Sequence, residues 1–133
     1  AAACSQRSIS NWVSKCMTTD IGYYFNMDQI KADPWNSPEK MWQHSPLKYA
    51  NMAKTPTLFI QSDEDYLYLI IVHLCVHRDR IDLRRSYCAR RSAAENPDRL
   101  FHGENHELSR SGKPKHRIRR MTEMMEWFEK YLK

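Results

Sequence analysis

The sequence predicts an α/β fold in which helices pack on a small parallel sheet of about three strands. Strand-like and helix-like segments alternate along the 133 residues, which is typical of parallel sheets connected by helices. Residues 55–61 form an apolar run without polar alternation, as expected of a strand buried on both faces. Residues 114–133 are amphipathic and predict a helix that covers such a sheet.

The first thirty residues predict a strand followed by short helices. Residues 1–10 are small and suit a short strand in a tightly packed sheet. Residues 11–30 mix aromatic side chains with a Thr-Thr-Asp stretch and Gly22. This composition favours an excursion of short helices and loop over one long element.

A capped helix is predicted in the middle of the first half. Ser37 can cap it, and Pro38 suits its first position because the missing N–H of proline costs nothing there. The helix is expected to end near His44, since Pro46 follows closely. A short turn over 46–49 comes next.

Two strands and a final helix are predicted in the remainder of the chain. The strand over 55–61 ends in the acidic run Ser-Asp-Glu-Asp, and 99–101 predict a minimal strand. Apolar residues recur at three- and four-residue steps over 114–133, which predicts a helix with a buried face. The side chains expected on that face are Ile118, Met121, Met125, Phe128 and Leu132, with Trp127 beside them.

Residues 67–98 are atypical of the domain around them. The stretch is rich in arginine, free of glycine and long for a single helical connection. Its apolar part predicts either a strand or a buried helix, and periodicity does not decide between the two. Out-of-frame translation or a local sequencing error between two in-frame blocks is one hypothesis for this stretch, and a genuine protein sequence is the other.

Length and composition limit the class of protein. The length suits one domain with a modest core, and no apolar run reaches the length of a membrane span or a signal peptide. The four cysteines lack Cys-x-x-Cys spacing and are expected to be free thiols in the cytoplasm. No cofactor or metal is expected. His73, Cys75, His77 and Cys88 could suggest a zinc site, but the alternation of the first three is not a known zinc spacing.

The net charge of +5 is concentrated in two basic stretches, 78–91 and 110–120. Such runs could meet phosphates or an acidic partner. Aromatic residues for base stacking are not interleaved with the positive charges, so a solvated face is the preferred interpretation. Nucleic acid is therefore an unlikely partner.

Asp65 and His106 are the candidate catalytic residues. An acid beyond one apolar strand and a histidine beyond a later one fill the last two places of the order Ser, Asp, His found in α/β-hydrolases. Asp63 and Glu64 are the alternative candidates for the triad acid, and His102 is the alternative candidate for the triad histidine. The first place is empty, because no Gly-x-Ser-x-Gly occurs in the sequence.

Several ungapped blocks resemble the C-terminal part of prolyl oligopeptidase-type serine peptidases, closest to acylaminoacyl-peptidase and dipeptidyl-peptidase-like enzymes. They are SQRSISNWVS, TTDIGYYFN, PEKMWQHSPLKYA, KTPTLFIQSDEDY and FHGENHELSRSGKPKHRIRR. The resemblance covers 1–66 and 99–133. It implies that 1–133 form one partial domain equivalent to the C-terminal half of an α/β-hydrolase domain.

The resemblance also implies functional roles. Asp65 matches the triad acid and His106 the triad base, and in the family the nucleophilic serine lies on an elbow just ahead of the strand that 1–10 resemble. We therefore expect a fragment of a serine peptidase that hydrolyses peptide or acyl-aminoacyl bonds of short peptides. The fragment is expected to be inactive alone and to need the N-terminal half of the domain for its nucleophile. A non-catalytic remnant that self-associates into a homo-oligomer or complements another fragment is the alternative, and a basic nucleic-acid-binding module is the weakest.

Overall fold

A computed structural model describes residues 1–66 and 98–132. The expectations for 67–97, including the histidines and cysteines considered for zinc and the first basic stretch, lie outside the described residues. In the described part no helix is both long and apolar enough to cross a bilayer. The elements are β1 Ala3–Gln6, α1 Trp12–Thr18, α2 Gly22–Ile30, α3 Pro38–His44, a 3₁₀ helix Pro46–Met52, β2 Thr57–Ser62, β3 Asp98–Phe101, α4 Leu108–Ser111 and α5 Pro114–Tyr131.

The three described strands form one parallel sheet in the order β1-β2-β3. Ala3 lies opposite Thr57, and Ser62 lies opposite Phe101. Because parallel strands begin and end on the same sides of a sheet, the turns that follow β2 and β3 leave from the same edge. The predicted α/β fold, with about three parallel strands and packed helices, is confirmed.

Helices α1 to α3 form a separate small cluster beside the sheet. Cys16, Ala32 and Met41 are its buried centre. The Asn11 carboxamide oxygen accepts the N–H groups of Val13 and Ser14 and so caps α1. This arrangement matches the expected excursion of short helices.

Ser37 begins α3 but does not cap it with its side chain. Its hydroxyl instead accepts the N–H of Asp33 at 3.0 Å, while the Asp33 carboxylate accepts the N–H groups of Trp35 and Asn36. Hydrogen bonds from Asn36 hold the pKa of Asp33 below its ordinary value. The expectation of a serine cap was wrong because the local Asp-Pro-Trp-Asn turn uses the hydroxyl.

The main core lies between the sheet and α5. Its fully buried residues come from β2, β3, α4 and α5 and are Leu58, Ile60, Phe101, Leu108 and Trp127. Trp127 also donates its indole N–H to the carbonyl of Ala3 at 2.9 Å. One side chain therefore joins the last helix both to the core and to the backbone of β1.

The buried face of α5 differs from the expected one. Trp127 is buried, with Met124, Phe128 and Tyr131 packed against the core. Four of the residues expected to face the sheet are instead exposed, by between 47% and 69%: Ile118, Met121, Met125 and Leu132. The pattern has two apolar stripes, and the sheet covers the one centred on Trp127.

The turns after β2 and β3 are joined by hydrogen bonds. The N–H of Asp63 donates to the carbonyl of Phe101, and the N–H of Glu64 donates to the carbonyl of Glu104. The Asp63 carboxylate accepts the N–H of Gly103 at 2.7 Å, and Gly103 has a φ of +66°, which favours glycine. These contacts continue the sheet beyond its last residues and fix one turn against the other.

We predict that Trp127→Phe lowers the free energy of unfolding by about 1 kcal/mol, since it removes the bond to Ala3 but keeps an aromatic ring. Equilibrium denaturant unfolding measures the difference. Trp42→Phe is the matched control, because Trp42 is 42% exposed on α3. Equal losses in the two variants would contradict the assigned role of the indole N–H.

We predict that Asp63→Asn lowers stability at pH 7 by about 1 kcal/mol, and that the difference disappears in acid. Partial burial would raise the pKa of Asp63, but hydrogen bonds from His102, Gly103 and Glu104 outweigh it and lower the pKa below 3.8. Because the folded-state pKa is depressed, the stabilisation is present above about pH 4 and is lost as pH falls through the folded value.

Denaturant midpoints measured from pH 7 to pH 3 check this prediction. Asp28→Asn is the control, since Asp28 is exposed on α2. A deficit for Asp63→Asn that stays constant down to pH 3 would rule out the charge as its cause.

Candidate active site

Asp65 and His106 lie in hydrogen-bond contact at the edge of the sheet where β2 and β3 end. The Nδ1 atom of His106 is 3.1 Å from Oδ1 and 3.0 Å from Oδ2 of Asp65, across 41 residues of sequence. The contact follows from the parallel pairing of the two strands and from the hydrogen bonds between their turns. The structure therefore brings the two sequence-predicted site residues together.

Asp65 is almost completely buried, at 1% exposure. A buried carboxylate needs partners that replace its hydration. The His106 ring is one partner, and the Gln61 side-chain amide donates to Oδ2 at 3.4 Å. The acid is thus held in a fixed position against the imidazole.

His106 presents one ring nitrogen to the acid. Since a carboxylate accepts hydrogen bonds, we assign the proton of neutral His106 to Nδ1, which leaves Nε2 able to accept a proton. Only 19% of the side chain is exposed. An imidazole oriented in this way by a carboxylate can take a proton from a nucleophile and return it to a leaving group.

The rival residues form a second and separate pair. His102 Nδ1 lies 2.9 Å from Asp63 Oδ2, and the exposures of the two side chains are 78% and 31%. Asp63 also accepts the N–H of Gly103, so this pair stabilises the turn from its outer side. The two histidines therefore do not share one acid.

Glu104 was missed by the sequence reasoning. It is 5% exposed and accepts the N–H of Lys113 at 3.0 Å and Nδ1 of His116 at 2.6 Å. The turn that carries His106 is thereby fixed to the first residues of α5. The only sequence signal was an acid close to the candidate histidine, and its partners lie 9 and 12 residues away.

Arg7 was also missed. Its Nη1 donates to the backbone carbonyl of His106 at 2.7 Å, across 99 residues of sequence. A small crevice of about 20 Å³ lies beside these two residues, at the end of β1. Nothing in the spacing of the sequence indicated that an arginine after the first strand would contact the candidate base.

The second basic stretch makes several contacts within the protein. Arg110 pairs with Glu107, and Arg120 donates to the Gln6 side chain on β1 at 2.6 Å. Lys113 donates to the carbonyl of Gly103 at 3.1 Å. Among residues 1–66 and 98–132, no cluster of three or more histidine, cysteine or acidic side chains is arranged to hold a metal ion.

Several known proteins resemble this chain. The uncharacterized peptidase YuxL of Bacillus subtilis is 34% identical over 135 residues, which cover 98% of this chain and 19% of that protein. The acylaminoacyl peptidase of Pyrococcus horikoshii is 32% identical, with a TM-score of 0.77 over 96% of this chain and 19% of its own. A Mycobacterium tuberculosis puromycin-hydrolyzing peptidase, 17% identical over 97% of this chain and 18% of its own, has the same fold with a TM-score of 0.72.

A further structure, an acylaminoacyl peptidase in complex with Z-Gly-Gly-Phe-chloromethyl ketone, matches 96% of this chain at 32% identity and a TM-score of 0.77. The chain spans about a fifth of the length of these relatives. The model of the prolyl oligopeptidase family of S9 peptidases matches residues 1–133. The resemblance noted in the sequence is confirmed, and the chain belongs to the prolyl oligopeptidase family.

Proposed function

We propose that this chain carries the acid and the base of a serine peptidase that hydrolyses peptide or acyl-aminoacyl bonds of short peptides. The observation that supports the proposal is the contact between a buried Asp65 and Nδ1 of His106, in a chain of this family. In this view 1–133 are one partial α/β-hydrolase domain and 67–98 are an atypical segment within it.

Each residue has a defined role in the proposed reaction. His106 Nε2 takes the proton of a serine hydroxyl as its oxygen attacks the carbonyl carbon, and Asp65 stabilises the resulting imidazolium. His106 then gives that proton to the leaving amine as the carbon–nitrogen bond breaks. In the second half of the reaction His106 takes a proton from water as the water oxygen attacks the acyl carbon. It gives that proton to the serine oxygen as the ester bond breaks, which releases the acid and restores the serine.

The nucleophile is proposed to come from a polypeptide segment outside these residues. The sequence contains no Gly-x-Ser-x-Gly, and the chain covers only 19% of the length of the Bacillus subtilis peptidase YuxL. In the family resemblance the serine elbow precedes the strand equivalent to β1. The crevice beside His106 lies at the end of β1, the strand that such an elbow would precede.

The substrate class is proposed from the relatives. The Pyrococcus horikoshii relative is an acylaminoacyl peptidase, and a similar structure holds a peptide chloromethyl ketone. Short peptides with a blocked or free amino terminus are therefore the substrates to test first.

A cytoplasmic location is proposed from the state of two thiols. Cys4 and Cys16 are free, and burial raises the pKa of each thiol, so both are poor nucleophiles. Reduced, unreactive cysteines suit a reducing compartment.

Self-association or complementation by another hydrolase fragment is the second candidate function, and the exposed flank of α5 supports it. Ile118, Met121 and Met125 line an open groove on this flank. Arg119 and Glu123, on another side of α5, contact β3 residues Phe101 and Arg99. Because Trp127 of the same helix faces the sheet, helical spacing places the apolar flank on the side of α5 that points away from the sheet.

We predict that this chain alone is not labelled by a fluorophosphonate probe, and that adding the upstream half of the same domain gives labelling of a serine on that half. In the labelled enzyme Asp65→Asn is expected to lower kcat by about a thousandfold or more, because the imidazole loses its orienting acid. Peptide hydrolysis and probe labelling measure both effects.

His102→Gln is the matched control for this experiment, because His102 forms the neighbouring histidine–aspartate pair and has no proposed part in the reaction. Its activity is expected to stay close to that of the parent enzyme. Asp65→Asn with parental activity, or labelling of the isolated chain, would contradict the proposed roles.

We predict that the isolated chain forms dimers or larger species, and that Met121→Glu combined with Met125→Glu shifts it toward monomer. Charges on the exposed flank would have to be desolvated on association. Light scattering after size-exclusion chromatography gives the mass. Met52→Glu is the control, since Met52 is 62% exposed but lies on the 3₁₀ helix; a dilute, stable monomer of the parent chain would refute the prediction.

A further inference from the structure

We propose that Arg7 is a positioning residue that fixes the backbone of His106 for catalysis. The inference rests on the proposed function, because it concerns the base of that reaction. Asp65 holds the imidazole ring, whereas Arg7 holds the main chain from which the ring projects. Together the two contacts fix the base at two points.

The contact itself is strong and specific. The Arg7 guanidinium donates to the carbonyl of His106 at 2.7 Å, in a partly buried position. A charged donor makes a shorter and stronger hydrogen bond than a neutral one. The guanidinium is also 3.8 Å from Glu107, but both side chains are about one third exposed, so this ion pair contributes little.

The backbone of Arg7 is itself anchored. Its N–H donates to the carbonyl of Ile60 on β2 at 3.1 Å, and its φ is +42°, in the left-handed region that non-glycine residues rarely adopt. The turn after β1 is therefore held on β2, while its side chain reaches the turn after β3. Arg7 therefore follows β1, is bonded through its backbone to β2, and is bonded through its side chain to the turn after β3 that carries His106.

The functional consequence follows from the precision that proton transfer requires. Without the guanidinium, the ring still has its bond to Asp65, but the turn that carries it loses its tie to β1. A displacement of about 1 Å in a reacting group can cost about a hundredfold in rate. The loss is expected in kcat, because the guanidinium contacts the enzyme backbone and no substrate atom is needed to explain its position.

The test uses the longer polypeptide that contains this chain and its upstream half. Arg7→Ala is expected to lower kcat by about tenfold to a hundredfold with KM nearly unchanged. Guanidinium chloride at millimolar concentration is expected to restore part of the loss, whereas sodium chloride at equal ionic strength is not. Arg117→Ala is the matched control, because Arg117 is exposed on α5, and Glu107→Gln separates the ion pair from the carbonyl bond.

A change of KM alone, no loss of kcat, or a loss that follows the melting temperature without guanidinium rescue would overturn the proposal. A readout independent of activity is the NMR signal of the imidazoles in the 133-residue chain. Arg7→Ala is expected to shift the ring resonances of His106 and to leave those of His116, which is bonded to Glu104, in place.

The two proposals can fail separately. If the parent enzyme is not labelled by the fluorophosphonate probe, the proposed function fails, and the NMR comparison alone decides whether Arg7 positions His106. If the parent enzyme is active and Arg7→Ala behaves like Arg117→Ala in kcat and in the His106 resonances, only the positioning role is overturned.

Discussion

The parallel pairing of β2 with β3 is the constraint on which the candidate site depends. Asp65 and His106 are separated by 41 residues, and each lies only a few residues beyond the end of its strand. Parallel pairing makes both turns leave the sheet at one edge, and the backbone bonds from Asp63 and Glu64 keep them together beyond it. The contact between Asp65 and His106 is thus a direct result of the sheet topology.

Two buried carboxylates stabilise the turns around the candidate site. Asp65 and Glu104 are buried carboxylates, and each contacts the Nδ1 atom of a histidine ring. Burial of either acid without its partner would be costly, so the fold is most stable when both rings are correctly placed. The pair of Asp63 and His102 differs because it is more exposed and lies on the outer side of the turn.

Sequence reasoning predicted features that local patterns determine. The strand over 55–61, the helix that starts at Pro38 and the last helix all follow from proline position and apolar spacing, and the structure has β2, α3 and α5 there. Asp65 and His106 could be selected because their order matches a triad. Arg7 and Glu104 could not, since their roles depend on hydrogen bonds to residues far along the chain, which leave no periodic signal.

The buried face of α5 shows why periodicity alone was insufficient. Residues at three- and four-residue steps mark apolar stripes, but they do not say which stripe the sheet will cover. Trp127 decides it, because its ring fills the core while its N–H reaches Ala3. The second stripe, which includes Met121 and Met125, is left exposed by this choice.

The crevice beside His106 lies at the end of β1, the edge strand of the described sheet. The crevice is lined by Gln6, the last residue of β1, by Arg7, the next residue, and by Arg120 on α5. A strand paired with the outer edge of β1 would leave the sheet at the same end as β2, beside His106, because parallel strands end together. The residue that follows such a strand would therefore lie near the candidate base.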